Sequence, residues 1–145
     1  MKITILSPEP GQEDEIIIRC AQLDDRVMGL IQSLKAEKMK LTAYSDDGIT
    51  IVDPKDVYYF EAVDNRVFAY CEKQVFEIRK KLYELENELA NTDFLRISKS
   101  AIVDLSKVAH LSAAFNGRLE AKLKNGEKII ISRQYVPNLK KKLGL

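Results

Sequence analysis

Apolar residues recur along much of this chain at every second position, in short runs broken by turn-forming residues. Such alternation gives a strand one apolar and one polar face. Residues 1–6 alternate weakly and predict a strand. Ser7-Pro8-Glu9-Pro10-Gly11 breaks any ladder, and Glu15–Cys20, rich in β-branched residues, predicts a second strand. From about Asp24 the period changes, with Leu23, Val27, Leu30, Ile31 and Leu34 at helical spacing. Asp24 or Asp25 can cap the first N–H groups, while Lys35, Lys38 and Lys40 suit the negative pole of the helix dipole. Residues 1–40 thus read as a β-β-α extension, with dimerisation or docking as its expected role.

Residues 41–145 read as one further unit of short strands and tight turns. Leu41–Tyr44 and Ile49–Val52 flank the turn sequence Ser45-Asp46-Asp47-Gly48. Val57–Ala62 and Val67–Cys71 flank the turn Val63-Asp64-Asn65-Arg66, and Gln74–Ile78 pairs back. One short helix opens at Arg79-Lys80-Lys81, with Leu82, Leu85 and Leu89 on one face, and ends at Asn91-Thr92-Asp93. Strands follow at Phe94–Ile97, Ala101–Val103, Val108–Phe115, Arg118–Leu123 and Lys128–Ser132. Asn116-Gly117 and Asn125-Gly126 are hairpin signals that call for positive φ at both positions. A last helix, carrying Val136, Leu139 and Leu143, should begin near Gln134, because Pro137 is tolerated only in the first turn. The fold class is mainly β, α+β overall.

Composition narrows the function. No apolar run approaches the roughly 20 residues of a membrane span, and the N-terminus is too short for a signal peptide, so cytoplasm is the expected location. Cys20 and Cys71 lie in alternating runs and are expected to be buried reduced thiols; with His110 the single histidine, no metal site is expected. No Walker loop, G-x-S-x-G elbow or H-E-x-x-H motif is present, so no catalytic residue, cofactor or small-molecule substrate is expected. The net charge of +1 hides an asymmetry. Residues 1–60 hold 7 Lys/Arg against 11 Asp/Glu; residues 94–145 hold 11 against 3. A basic C-terminal third favours a nucleic-acid partner.

Two stretches could carry that contact. In Arg96-Ile97-Ser98-Lys99-Ser100, a turn near Ser98–Ser100 lets both Ser98 and Lys99 reach outward, while Arg96 is expected to hold the segment by a local ion pair. Arg133, just past a strand, can offer its guanidinium fork to guanine O6 and N7. The 23–40 helix has no basic face, so reading would fall to loops and strand ends. Stacking of RNA bases on Tyr58, Phe60, Phe68 and Tyr70 is weaker, since alternate aromatics on neighbouring strands are usually core.

Val57–Ala62 with Asp64-Asn65-Arg66, the Lys81-Leu82…Leu85-Glu86…Leu89 helix, Phe94–Ser100 followed by Val103-Asp104, and Leu123-Lys124-Asn125-Gly126…Ile131-Ser132-Arg133-Gln134-Tyr135 together resemble the LytTR DNA-binding domain of bacterial transcription regulators. The likeness covers residues ~40–145. It implies an antiparallel β core of small sheets with short helices and a sequence-specific, double-stranded DNA-binding transcription regulator that works through loops. It also implies that Asn65 and Arg66 enter one major groove, Ser98 and Lys99 lie over the intervening minor groove, and Arg133 enters the next major groove. A homodimer on promoter repeats is implied as well.

The chain departs from the pattern at three points. Ser98 stands where histidine is common. Asp104 stands where asparagine is common, and as an acceptor-only charge it should point into the protein rather than toward a phosphate. Residues 1–40 replace the usual receiver domain, so the resemblance is to stand-alone regulators, whose input comes from a membrane-protein regulator or from expression level. The alternative is a protein–protein interaction module using the 23–40 helix and sheet edges.

Overall fold

The computed structural model describes residues 1–37 and 39–145. One helix, α1 (Asp25–Glu37), precedes the strands β1 (Leu41–Ser45), β2 (Gly48–Val52), β3 (Val57–Val63), β4 (Arg66–Cys71) and β5 (Val75–Ile78). Then come α2 (Leu82–Glu88), β6 (Phe94–Ser98), β7 (Ala101–Asp104), β8 (Val108–Ala113), β9 (Leu119–Leu123), β10 (Lys128–Ile131) and α3 (Val136–Lys142). The strands form a seven-stranded sheet in the order β2-β1-β5-β4-β3-β7-β6 and a three-stranded sheet in the order β10-β9-β8, with every pairing antiparallel.

Alternation within the strands decides what each face of the large sheet covers. Leu41 and Ala43 of β1, Phe60 of β3 and Ile78 of β5 turn to one side and bury Leu82, Leu85 and Leu89 of the α2 segment. Each such leucine contributes ~1.5–3 kcal/mol by leaving water. On the opposite side, Val103 of β7 packs with Ala121, Leu123 and Ile131 of the small sheet and Leu139 of α3. The small sheet covers only the β3-β7-β6 end. At the other end, Ile49 and Ile51 of the edge strand β2 stay exposed.

The turns follow their chemistry. Asp64 and Asn65 both take positive φ (51° and 62°), as a two-residue hairpin matching the strand twist requires. Asn116 and Gly117 do likewise (61° and 75°). The second Asn-Gly pair differs: only Gly126 has positive φ, and the Asn125 side chain accepts from Glu127 N at 3.0 Å. The asparagine here closes a turn through its side chain rather than through a left-handed backbone.

The N-terminal 24 residues correct one expectation. The helix forms, capped by Asp24 Oδ1, which accepts from Val27 N at 2.9 Å, but neither expected strand, 1–6 nor 15–20, does. Neither segment packs against a layer of its own chain, and Ile3, Ile5, Ile16 and Ile17 all stay exposed. For the same reason Cys20 is exposed rather than buried; Cys71, at the end of β4, is half-buried. Helix α1 is tied to the strand domain near Asn91: Ser33 Oγ donates to Asn91 O at 2.7 Å, and Asn91 Nδ2 donates to Gln32 Oε1. Lys38 lies outside the described residues.

Candidate nucleic-acid interface

Three turns widely separated in sequence meet at one edge of the molecule. The β3–β4 turn, Asp64-Asn65, follows strand β3, whose Ala62 N donates to Ser100 O at 2.8 Å and so fixes the β6–β7 turn beside it. From the other side of that turn, Ile97 O accepts from Ser132 N at 2.8 Å, which places the end of β10 against β6. Asn65, Arg66, Lys99 and Arg133 are exposed, and Ser98 is half-exposed. Asn65 and Lys99 lie in the turns, Arg66 and Ser98 at the strand ends beside them, and Arg133 just past the end of β10.

The β6–β7 turn is held from within. Arg96 Nε donates to Ser98 O at 2.7 Å and its NH2 to Lys99 O at 2.6 Å, while NH1 sits 3.4 Å from Glu86 Oε1. Ser98 Oγ accepts from Ser100 N at 3.1 Å. A guanidinium with five fixed donors can satisfy two carbonyls and a carboxylate at once. The Arg96 side chain is thus spent on the turn, and the exposed Lys99 is left as the cation of this segment.

Asp104 points inward as its chemistry demands. It is 5% exposed, and its carboxylate accepts from Ser106 N at 2.9 Å, Ser106 Oγ at 2.7 Å and Lys107 Nζ at 3.2 Å. It caps a single 3-10 turn, and Lys107 goes on to donate to the carbonyls of Lys55 and Val57.

One contributor escaped the sequence reading. The hairpin turn Phe115-Asn116-Gly117 lies against Arg133: a Cβ built on Gly117 would stand 3.3 Å from Arg133 Cδ and 3.4 Å from Cγ. Glycine at this position gives both the positive φ and the room for the arginine stem. The same turn carries exposed Phe115 and Arg118. Read along the chain, Asn-Gly announces only a hairpin; no local signal says what packs on it.

What the edge offers is hydrogen-bond donors and positive charge on short turns backed by two buried cores. Among the described residues there is no group of three His, Cys, Asp or Glu side chains placed to hold a metal, and no helix is long and apolar enough to cross a membrane. A β scaffold presenting cationic turns at one edge is a surface suited to a polyanion. The family profile described as the LytTr DNA-binding domain matches residues 47–144, and the chain belongs to that family.

Known proteins agree. The LytTr DNA-binding domain of a response regulator from Bacillus cereus superposes with a TM-score of 0.70 at 25% identity, over 73% of this chain and 97% of that one. Two HTH-type transcriptional regulators of Staphylococcus aureus, from strains MSSA476 and MW2, are 30% identical over all of this chain and 99% of their own length. The family and these relatives make this a DNA-binding transcription regulator and point away from an enzyme. The leucines of the α2 segment lie buried in the core.

Proposed function

We propose that this regulator binds double-stranded DNA sequence-specifically, reading two successive major grooves through its turns. Asn65 and Arg66 enter one major groove, Arg133 enters the next, and Ser98 and Lys99 lie over the minor groove between them. Binding is as a homodimer on promoter repeats, in the cytoplasm, with input from a membrane-protein regulator. The observation that carries the reading is the convergence of the three turns through the Ala62–Ser100 and Ile97–Ser132 hydrogen bonds. Side chains on turns so linked keep a fixed spacing, which is what reading a rigid duplex needs.

A salt titration on a genomic fragment selected for binding tests it. Log K should fall linearly with log salt, with a slope of about −0.9 per phosphate neutralised. Absence of binding to any promoter fragment at low salt would overturn it. The exposed Ile49 and Ile51 on edge strand β2 favour a second reading, a protein–protein module; a stable protein complex without any DNA shift would select it.

A further inference from the structure

The N-terminal arm has unmet needs that one partner answers. Among the described residues, positions 1–23 make a single main-chain hydrogen bond, from Gln12 N to Glu9 O at 3.0 Å, although their composition favours strands. The two halves of the arm flank a cleft of about 650 Å³, lined by Lys2, Thr4 and Leu6 from one half and Glu15, Ile17 and Arg19 from the other. One parity of each half therefore faces the cleft, and Ile3, Ile5, Ile16 and Ile18 belong to the opposite parity. Ile3 is 85% exposed and Ile5 91%.

Within this arm Glu15-Ile16-Ile17-Ile18-Arg19 is symmetric about Ile17 in a particular sense. If the segment pairs antiparallel with its own copy and Ile17 lies on the two-fold axis, Glu15 faces Arg19 of the second copy, and Arg19 faces Glu15. Ile16 faces Ile18 in the same way. Opposite charges and isoleucines directly across a ladder both stabilise it. Neither Glu15 nor Arg19 has an ion-pair partner among the described residues. An isologous two-fold interface requires self-complementarity of this kind, whereas an unrelated partner gives no reason for it.

Ile16 and Ile17 are exposed in the single chain, and the ladder would give them the cross-strand neighbours they lack. We propose that residues 15–19 pair antiparallel with the same residues of a second copy, about a two-fold axis at Ile17, and that this ladder forms the homodimer of the regulator.

This proposal rests on the DNA-binding reading for its consequence, two domains delivered to two sites, but its test contains no DNA. Sedimentation equilibrium is run on the full chain and on Glu15→Arg, Arg19→Glu and the double variant. Wild type should be dimeric, and each single reversal, which sets like charges face to face twice, should raise the dimer dissociation constant on the order of tenfold or more. The double reversal should restore the dimer. As a second measurement, Ile17→Cys in a Cys20→Ser, Cys71→Ser background should form a disulfide-linked dimer on mild oxidation, since paired antiparallel residues have Cα atoms about 4.5–5.5 Å apart. A monomeric wild type, charge variants all as dimeric as wild type, a double reversal as weak as the singles, or no Ile17→Cys cross-link would overturn it. Failure of wild type to bind DNA in a separate titration would instead overturn the proposed function.

Discussion

Arg133 reaches the surface with its stem lying against Gly117, where an added β-carbon would stand 3.3 Å from Cδ. A single methyl at 117 therefore meets Arg133 directly and also strains a backbone at φ +75°. If Arg133 reads guanine, Arg133→Ala should reduce discrimination between the selected site and a scrambled one by ~1–3 kcal/mol. Gly117→Ala should reduce the same discrimination in the wild-type background and have no further effect once Arg133 is alanine. The coupling in that double-mutant cycle separates a positioning role from general destabilisation, which would appear in both backgrounds. Equal effects of Gly117→Ala with and without Arg133 would refute the positioning role. Other single-residue features were readable from the sequence because their chemistry is local. Arg96 shares strand parity with Ser98 and turns back on its own loop, and Asp104, unable to face a phosphate, points inward. Gly117 was not readable in this way, because its partner lies sixteen positions further along, across the small sheet.

At the scale of elements, periodicity located the ten strands and three α-helices of the described residues to within a few positions. It failed for residues 1–6 and 15–20, where the same pattern finds no layer to pack against within one chain. Pattern sets the potential for a strand, and the partner decides whether the ladder closes. The junction of the two sheets makes a measurable prediction. The Tyr59 and Tyr70 rings stack with centroids 4.4 Å apart. Burial, then Glu127, pushes the Tyr59 phenol well above its ordinary range; burial, then Glu61, raises that of Tyr70. A phenol raised on folding favours the folded state below its unfolded pKa of ~10, and that stability is lost as pH rises through the folded value. In an alkaline titration followed by phenolate absorbance, these two of the six tyrosines should ionise late and together with loss of structure. Six tyrosines titrating as one reversible group with the fold intact would contradict this account of the sheet junction.

Across the whole molecule, charge and architecture agree. Residues 94–145, with 11 Lys/Arg against 3 Asp/Glu, supply two of the three turns at the candidate edge. The acidic first 60 residues supply none of them. A field arranged in this way attracts a polyanion to the basic turns. The charge asymmetry was plain in the sequence. The convergence of the turns was not, because it depends on the β2-β1-β5-β4-β3-β7-β6 order, which brings β6 and β7 beside β3.

The most direct test of turn-borne reading is methylation interference at guanine N7 on the selected site, with wild type and Arg133→Ala. Wild type should show interference in two successive major grooves per domain, about 10 base pairs apart centre to centre. Arg133→Ala should erase one of the two clusters and leave the other. An unchanged pattern in the variant, or interference confined to one groove in the wild type, would contradict it.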